Sequence, residues 1–158
     1  MADVNPLRDA VMSYLRRRGW QVEVDEPSGI IALEQPGADD PALYTVVAVV
    51  REDDRQVLIY SACPPDVPEH RRAAVAELLT RANYGLFIGN FELDLDDGEV
   101  RFKTGVDVEG TDVDDALLDG LLRANLATMD TYLGAILDVA AGDADVSEAL
   151  ATTEADIG

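Results

Sequence analysis

The chain has very little of the residue types that carry nucleophilic, redox or metal chemistry. Its 158 residues include one cysteine, Cys63, and one histidine, His70. A single cysteine excludes an intrachain disulfide, which suits a reducing compartment. The two residues could form a Cys–His nucleophilic pair, but an inert Cys63 at a strand end is the better interpretation, because buried cysteines are commonly unreactive. The sequence therefore predicts no catalytic residues and a protein that is not an enzyme.

Cofactor and metal motifs are also missing. The sequence contains no Walker loop, no dinucleotide-binding fingerprint and no Cys-x-x-Cys pair. Asp94–Gly98 is acidic enough to suggest a calcium loop, but an EF-hand frame that starts at Glu92 ends at Lys103 instead of the required glutamate. We therefore predict no cofactor-binding and no metal-binding residues. Weak binding of a divalent cation at the acidic surface is the alternative left open.

Long hydrophobic runs are absent too. The longest unbroken apolar stretch is Val46–Val50, whereas a membrane helix needs about 20 such residues. The N-terminus has no basic flank followed by an apolar run, so no signal peptide is expected. These absences predict a soluble, cytoplasmic protein without a membrane partner.

Basic residues are scarce as well. Twelve Lys and Arg stand against 32 Asp and Glu, which gives a net charge of −20. Nucleic-acid binding depends on Lys and Arg that displace counterions from phosphates. So acidic a chain is expected to bind no nucleic acid, and its partner is expected to be another protein.

What the sequence does contain is the apolar patterning of a globular α+β domain. Alternation with a period of two predicts strands, and apolar residues three and four apart predict helices. The predicted order is α-β-β-β-β-α-β-β-α, with the helices packed on one face of a largely antiparallel sheet. The predicted helices are Leu7–Arg18, 68–83 and 113–141, and the predicted strands are 20–25, Ile30–Glu34, Leu43–Arg51, Gln56–Cys63, Leu86–Leu95 and Glu99–Val108.

The last two strands carry the clearest turn signal. Asp97-Gly98 is typical of a two-residue type I′ hairpin turn. Such a turn would place Leu93 opposite Phe102 and Glu92 opposite Lys103. This register puts apolar pairs on one face and opposite charges on the other.

The last predicted helix has a start signal and a stop signal. Thr111 and Asp114 resemble a capping box, and Gly142 is suited to the position just beyond the helix end. Residues 143–158 carry five acidic residues and no basic one. We therefore predict a single domain over 1–142 and an acidic, partly disordered tail over 143–158.

The third predicted strand, Leu43–Arg51, is apolar on both faces. A strand of this kind is usually covered on both sides. Because the predicted helices lie on one face only, a second copy of the chain is the expected cover for the other. This pattern predicts a homodimer.

One basic cluster, Arg16-Arg17-Arg18, precedes the single tryptophan, Trp20. Cations at the end of a helix are favourable on their own account, and this is the favoured interpretation. The other interpretation is a contact patch for an acidic partner. Together with the two-faced strand, it gives the predicted partner-binding residues: Arg16, Arg17, Trp20, Tyr44 and Val46.

The block Arg81-Ala-Asn-Tyr-Gly-Leu-Phe-Ile-Gly-Asn-Phe-Glu-Leu-Asp resembles the signature of the YbjN family of bacterial proteins. The later steps Met129-Asp-Thr-Tyr and Ala140-Ala-Gly are also similar to that family. The resemblance implies a fold like that of type III secretion chaperones, often assembled as a homodimer. It also implies a chaperone-like or regulatory adaptor and brings no catalytic residues.

Three functions follow as hypotheses. The leading one is a non-catalytic protein-binding module, chaperone-like or regulatory. The alternative is an acidic mimic or inhibitor of a basic, nucleic-acid-binding partner, whose binding should weaken steeply with salt. The third is an enzyme with an unrecognised site, which a deep polar pocket around His70 would support.

Overall fold

The computed structural model describes residues 5–34 and 44–157. Within these ranges the chain forms four α-helices and one six-stranded sheet, and the short 3-10 turn Glu69–Arg71 leads into the second helix. The elements are α1 (Pro6–Arg17), β1 (Gln21–Asp25), β2 (Ile30–Glu34), β3 (Thr45–Arg51), β4 (Gln56–Cys63), α2 (Arg72–Gly85), β5 (Asn90–Leu93), β6 (Val100–Asp107), α3 (Asp115–Ala141) and α4 (Val146–Ile157).

The sheet is antiparallel throughout. Its strand order is β1-β2-β3-β4-β6-β5, and each neighbouring pair runs antiparallel. The α+β class and the predicted element order are confirmed, with α4 in addition. Leu43, the predicted first residue of the third strand, lies outside the described residues.

The helices pack on one face of this sheet. Helix α3 lies against β4 and β6, α2 against β5, and α1 against β1. Because strand side chains alternate between faces, every second residue of each strand enters the core. The buried strand residues on this face include Ile31, Leu33, Val46, Ala48, Val57, Ile59, Phe91, Val100 and Phe102.

A buried polar network fixes α3 over the centre of the sheet. The Asn125 side-chain amide donates to the carbonyl oxygens of Ile59 at 2.9 Å and Phe102 at 3.2 Å. Its oxygen accepts from the Ser61 hydroxyl, and the Thr104 hydroxyl donates to Leu121 O at 3.1 Å. All these polar groups are buried, and each has a partner, so the network orients the helix without leaving an unpaired group.

The start of α3 corrects the predicted capping box. The helix begins at Asp115, and its N-cap is Asp114, whose carboxylate accepts the backbone N–H of Leu117 at 2.8 Å. The prediction with Thr111 as cap was wrong, because the Asp114 side chain itself reaches the third helical N–H. The predicted end is confirmed: Gly142 follows the last helical residue with φ of +84°, a conformation that suits glycine.

The hairpin register is also corrected. Leu93 pairs with Val100, Phe91 with Phe102 and Asn90 with Lys103, two residues away from the predicted pairing. The faces are as predicted, because a shift of two preserves the alternation. The turn is longer than expected: Asp94 N–H donates to Glu99 O at 2.9 Å, and Gly98 N–H donates back to Asp94 O at 2.8 Å.

Side-chain hydrogen bonds explain the longer turn. The Asp94 carboxylate accepts the N–H of Asp96, and the Asp97 carboxylate accepts that of Glu99. These local bonds are typical of aspartate in turns. Leu95 is 63% exposed at this turn.

The C-terminal segment contains a packed helix where the sequence predicted a partly disordered tail. Helix α4 lies against α2 and α3 and buries Val146, Ala149 and Thr153. The Asp145 carboxylate accepts the Glu148 N–H at 2.9 Å and so caps the helix start. The segment contains a short apolar stripe at helical spacing, and the prediction from its acidic composition overlooked this stripe.

None of the helices in the described part of the chain combines the length and apolar character needed to cross a membrane.

Candidate functional site

The face of the sheet opposite the helices carries an apolar band. Side chains of this band alternate along β2, β3 and β4 with the buried core residues. No other element within residues 5–34 and 44–157 packs over them. They are half-buried or exposed and comprise Ala32, Val47, Val49, Leu58 and Tyr60, here called the open band.

Strand register makes the open band continuous. Ala32 pairs with Val47, and Val47 pairs with Tyr60 on the next strand. In the neighbouring row Val49 pairs with Leu58. Cross-strand neighbours on one face lie within contact distance of each other, so the five residues form one surface across three strands.

Gly105 on β6 shapes the edge of the open band. It pairs with Leu58, and a Cβ atom at Gly105 would lie only 2.6 Å from a methyl carbon of Leu58. The missing side chain therefore lets Leu58 lie over the backbone of β6. A larger residue at position 105 would push Leu58 out of the surface.

A charged cluster bounds the open band on the β6–β5 side. The Glu92 carboxylate accepts from Arg101 Nε at 2.7 Å and also from Lys103. The Arg101 guanidinium lies 4.4 Å from the centre of the Tyr60 ring, within the range of a cation–π contact. Partial burial would raise the pKa of Glu92, but the hydrogen bonds from Lys103 and Arg101 outweigh it and lower that pKa.

The opposite rim is acidic. Glu23, Asp25 and Glu34 on β1 and β2 are exposed, and their positions in the ladder place them on the same face as Ala32. The open band is therefore an apolar centre between a cationic-acidic cluster and an acidic strand edge. An apolar centre with a polar rim is the usual anatomy of a protein interface.

The predicted partner-binding residues divide into two groups. Arg16 and Arg17 are exposed, and Arg17 forms an ion pair with Asp115 at 2.6 Å. Trp20, Tyr44 and Val46 are buried, with 9%, 4% and 3% of their surface exposed. These three face the helices, so any contact with a partner would have to come from other residues of the same strands.

Trp20 lines a shallow hollow of about 420 Å³ between α1 and α3. Within it the Asp119 carboxylate accepts from the Tyr14 hydroxyl at 2.7 Å and from two nitrogens of Arg18 at 2.9 and 2.6 Å. Burial and this carboxylate raise the pKa of Tyr14 to about 12. Tyr14, Arg18 and Asp119 in the hollow are thus already paired with each other.

Tyr44 contributes indirectly to the same hollow. Its hydroxyl donates to Asp130 at 2.6 Å, and Asp130 lines the hollow. Burial, followed by the hydrogen bond to Asp130, raises the pKa of Tyr44 above its ordinary range. Tyr44 therefore ties the start of β3 to α3.

Cys63 and His70 lie in surroundings that do not favour a reactive pair. Cys63 is buried at the end of β4, and burial raises the pKa of its thiol to about 11. The thiolate is the reactive form, so this cysteine is protonated at neutral pH. His70 is exposed in the 3-10 turn, and within the described residues no group of three His, Cys, Asp or Glu is placed to hold a metal ion.

Sequence reasoning found one part of the open band and missed another. It identified the two apolar faces of the third strand but expected both to be covered. The structure leaves Val47 and Val49 half-buried beside Leu58 and Tyr60. The missed signal was present in 56–63, where these two residues alternate with the buried Val57 and Ile59.

Known proteins share this architecture. YbjN from E. coli superposes with a TM-score of 0.63 at 14% identity, covering 77% of this chain and 84% of that one. The ExsC–ExsE complex gives 0.59 at 14% identity, covering 84% and 95%. An uncharacterized protein from Methanothermobacter thermautotrophicus gives 0.50 at 17% identity, covering 78% and 94%.

These structures confirm the predicted fold: an antiparallel sheet with helices on one face, like that of type III secretion chaperones. No curated protein sequence matches the chain. A family model does match, over residues 7–138, and its description is "Putative bacterial sensory transduction regulator". The match covers most of the sequence and confirms the resemblance carried by the Arg81–Asp94 block: the chain belongs to the YbjN family.

Proposed function

We propose that the protein is a non-catalytic protein-binding module, a chaperone-like or regulatory adaptor, and that the open band binds its partner. The observation that carries this proposal is the continuous apolar surface on three strands, over which no described element packs. Removing such a surface from water favours association, because the hydrophobic contribution is about 25 cal/mol for each Å² of apolar area, before the costs of association are subtracted.

The composition of this surface favours a protein partner. Tyrosine and arginine are the residues most enriched among those that dominate binding energy, and Tyr60 with Arg101 supplies both at the edge of the open band. The family description is regulatory. The similar ExsC structure was solved in complex with a second protein, ExsE, which supports a partner of the same class here.

The proposal includes a homodimer in the cytoplasm without bound nucleic acid. The acidic surface supports the last point, since a charge of −20 opposes contact with phosphates. The same charge favours the alternative function, an acidic mimic that occupies a basic protein. The two functions differ in their dependence on salt, because apolar contacts persist when charges are screened.

The test uses two matched variants that each add one negative charge. Leu58→Glu places it in the open band, and Thr80→Glu places it on the exposed side of α2. Each is expressed in the native cell, cross-linked and captured, and the captured proteins are identified by mass spectrometry. We expect Leu58→Glu to lose a partner that the wild type and Thr80→Glu both retain, with a thermal midpoint close to that of the wild type.

The captured partner is then bound at low and at about 1 M salt, where the screening length is about 3 Å. Affinity that changes less than tenfold supports apolar recognition. A fall of several hundredfold would instead support the acidic mimic. Retention of the partner by Leu58→Glu would contradict the proposed site.

A further inference from the structure

We propose that two copies of the chain bind each other by inserting Phe87 of each into a groove beside α3 of the other. This inference rests on the proposed homodimer and gives it an interface different from the sheet face that the sequence predicted a second copy would cover. It concerns a surface separate from the open band, so one molecule could bind a second copy and a partner protein at the same time.

The inserting element is a short uncharged segment, 84–89, which comprises the last two residues of α2 and the loop that leads to β5. Phe87 has its whole side chain in solvent, with an exposed fraction of 102%, and Tyr84 is 96% exposed. No residue of the segment 84–89 carries a charge. Two fully exposed aromatic rings, one on the last turn of α2 and one on the loop after it, are unusual in a monomer, where large exposed apolar patches commonly mark interaction sites.

The segment holds Phe87 in a fixed position. On one side Asn83 is bonded to Phe91: its side-chain oxygen accepts the Phe91 N–H at 2.7 Å and its amide donates to Phe91 O at 3.1 Å. On the other side Gly89 has φ of +80°, and a Cβ atom there would lie 2.6 Å from Lys103 O. Leu86 packs against the core. The ring is therefore displayed by an anchored loop, which lowers the entropy lost on binding.

The receiving element is a groove of about 660 Å³. Its α3 wall consists largely of small residues, and Ile88 and Val106 form the other side. Gly120 lies in that wall, and the space around its missing Cβ contains no atom within 4 Å. A cavity of about 150 Å³ can already hold a benzene ring, so the groove has room for a phenylalanine. The small residues are Ala116, Gly120, Ala124 and Ala127.

The ring and the groove are neighbours on one surface. Phe87 directly precedes Ile88, which lines the groove. In a dimer with a two-fold axis, both subunits contribute the same surface patch. Every contact that the first copy makes with the second is repeated by the second copy with the first. A ring next to a groove meets this requirement, because the axis can pass between them.

The charge distribution also favours this surface for self-association. Two copies that each carry −20 repel each other most where acidic residues meet. The groove and the 84–89 segment contain no acidic residue, and the charged residue among those lining the groove is Arg123. Contact here therefore brings no acidic residue of the groove or the segment against another.

The available area suffices for a stable dimer. An aromatic side chain buries about 150–250 Å², so two Phe87 and two Tyr84 rings bury roughly 600–1,000 Å². The surfaces that receive them bury about as much again, which reaches the roughly 1,200–2,000 Å² of specific interfaces.

The test measures mass by sedimentation equilibrium for the full chain and four variants. Phe87→Ser removes the ring, and Leu95→Ser is its control, because Leu95 is an exposed apolar residue on the β5–β6 turn. Gly120→Leu fills the groove, and Gly134→Leu is its control on the same helix, where a Cβ atom also has open space. Circular dichroism verifies that each variant is folded.

We expect a dimer at about 50 μM for the wild type and both controls, and at least a tenfold weaker dimer for Phe87→Ser and Gly120→Leu. Mixing these two variants should partly restore association, because a Phe87 ring from the Gly120→Leu chain can still enter the open groove of the Phe87→Ser chain, which re-forms one of the two reciprocal contacts. Leucine is also a better helix former than glycine, so Gly120→Leu should weaken the dimer without unfolding α3.

Three different results would overturn the inference. A monomeric wild type would remove the homodimer together with its interface, while the open band would remain as a partner site. A wild-type dimer that persists in Phe87→Ser and Gly120→Leu would place the interface elsewhere and leave the homodimer intact. Failure of the mixed variants to associate would show that the ring does not enter the groove.

Discussion

The two faces of β4 carry similar residues and meet different surroundings. Val57 and Ile59 are 0% and 3% exposed under α3, whereas Leu58 and Tyr60 on the other face are only half-buried. Hydrophobicity alone does not distinguish the two faces. An apolar position in a strand therefore indicates a surface that packs against something. It does not indicate whether the packing residues belong to the same chain or to another.

The two faces should therefore differ in what they contribute. The covered face contributes to the stability of the monomer, and the open band contributes to binding. Substitutions on each face can test whether these two contributions are separate.

The largest expected effect comes from truncating the covered face. Ile59→Ala should lower the free energy of unfolding by about 2–5 kcal/mol, since it removes transfer energy and leaves a cavity. Leu58→Ala, one residue away on the open face, should cost less than about 1 kcal/mol, because its side chain is already partly in water. Urea denaturation of both variants measures the difference, and equal losses would contradict the assignment of the two faces.

A smaller effect is expected for the polar network beneath α3. Asn125→Leu removes the partner of Ser61 and of the Ile59 carbonyl oxygen, and an unsatisfied buried group costs about 1–3 kcal/mol. Thr131→Val on the exposed side of the same helix should leave stability nearly unchanged. Thermal melts of the two variants test the network, and a stabilised Asn125→Leu would show that it does not orient the helix.

Helix α4 offers a third test, because it covers the far end of the helical layer. Val146 is 8% exposed and Ile157 is 61% exposed. Val146→Ser should cost roughly 1–2 kcal/mol, the transfer energy of a buried apolar side chain, and Ile157→Ser should cost almost nothing. Amide hydrogen exchange measures the stability of this helix residue by residue. Fast exchange over 146–157 in the wild type would favour the predicted, partly disordered tail over a packed helix.

The smallest effect is expected at the rim of the open band. Glu92→Gln weakens the pairs with Arg101 and Lys103, and partly exposed ion pairs contribute about 0–1 kcal/mol. Because folding lowers the pKa of Glu92, its contribution is present above the ordinary glutamate value of about 4.3 and is lost as the pH falls through the folded pKa. Unfolding at pH 7 and pH 3 should therefore show a wild-type advantage that is smaller at the lower pH.

Much of the covered face was predictable from the sequence. Strands such as Ile30–Glu34 and Gln56–Cys63 have the predicted bounds, because alternation and Gly or Pro boundaries act locally. The family was predictable as well, from the Arg81–Asp94 block.

What sequence reasoning could not supply depended on contacts between distant residues. The start of α1 is capped by the Glu52 carboxylate, which accepts the Leu7 N–H at 2.9 Å, and no local pattern reveals that bond. The hairpin register failed because aspartate side chains stabilised a longer turn than Asp97-Gly98 indicated. The burial of Trp20 and Val46, both predicted to contact a partner, follows from the packing of whole helices on the sheet.

The most direct test of the open band as a binding surface is hydroxyl-radical footprinting of the protein alone and with its captured partner, because this method resolves neighbouring side chains. We predict that partner binding protects Leu58 and Tyr60 several-fold and leaves Leu95 as reactive as before. Unchanged labelling of Leu58 and Tyr60 in the complex, with protection elsewhere, would contradict the account.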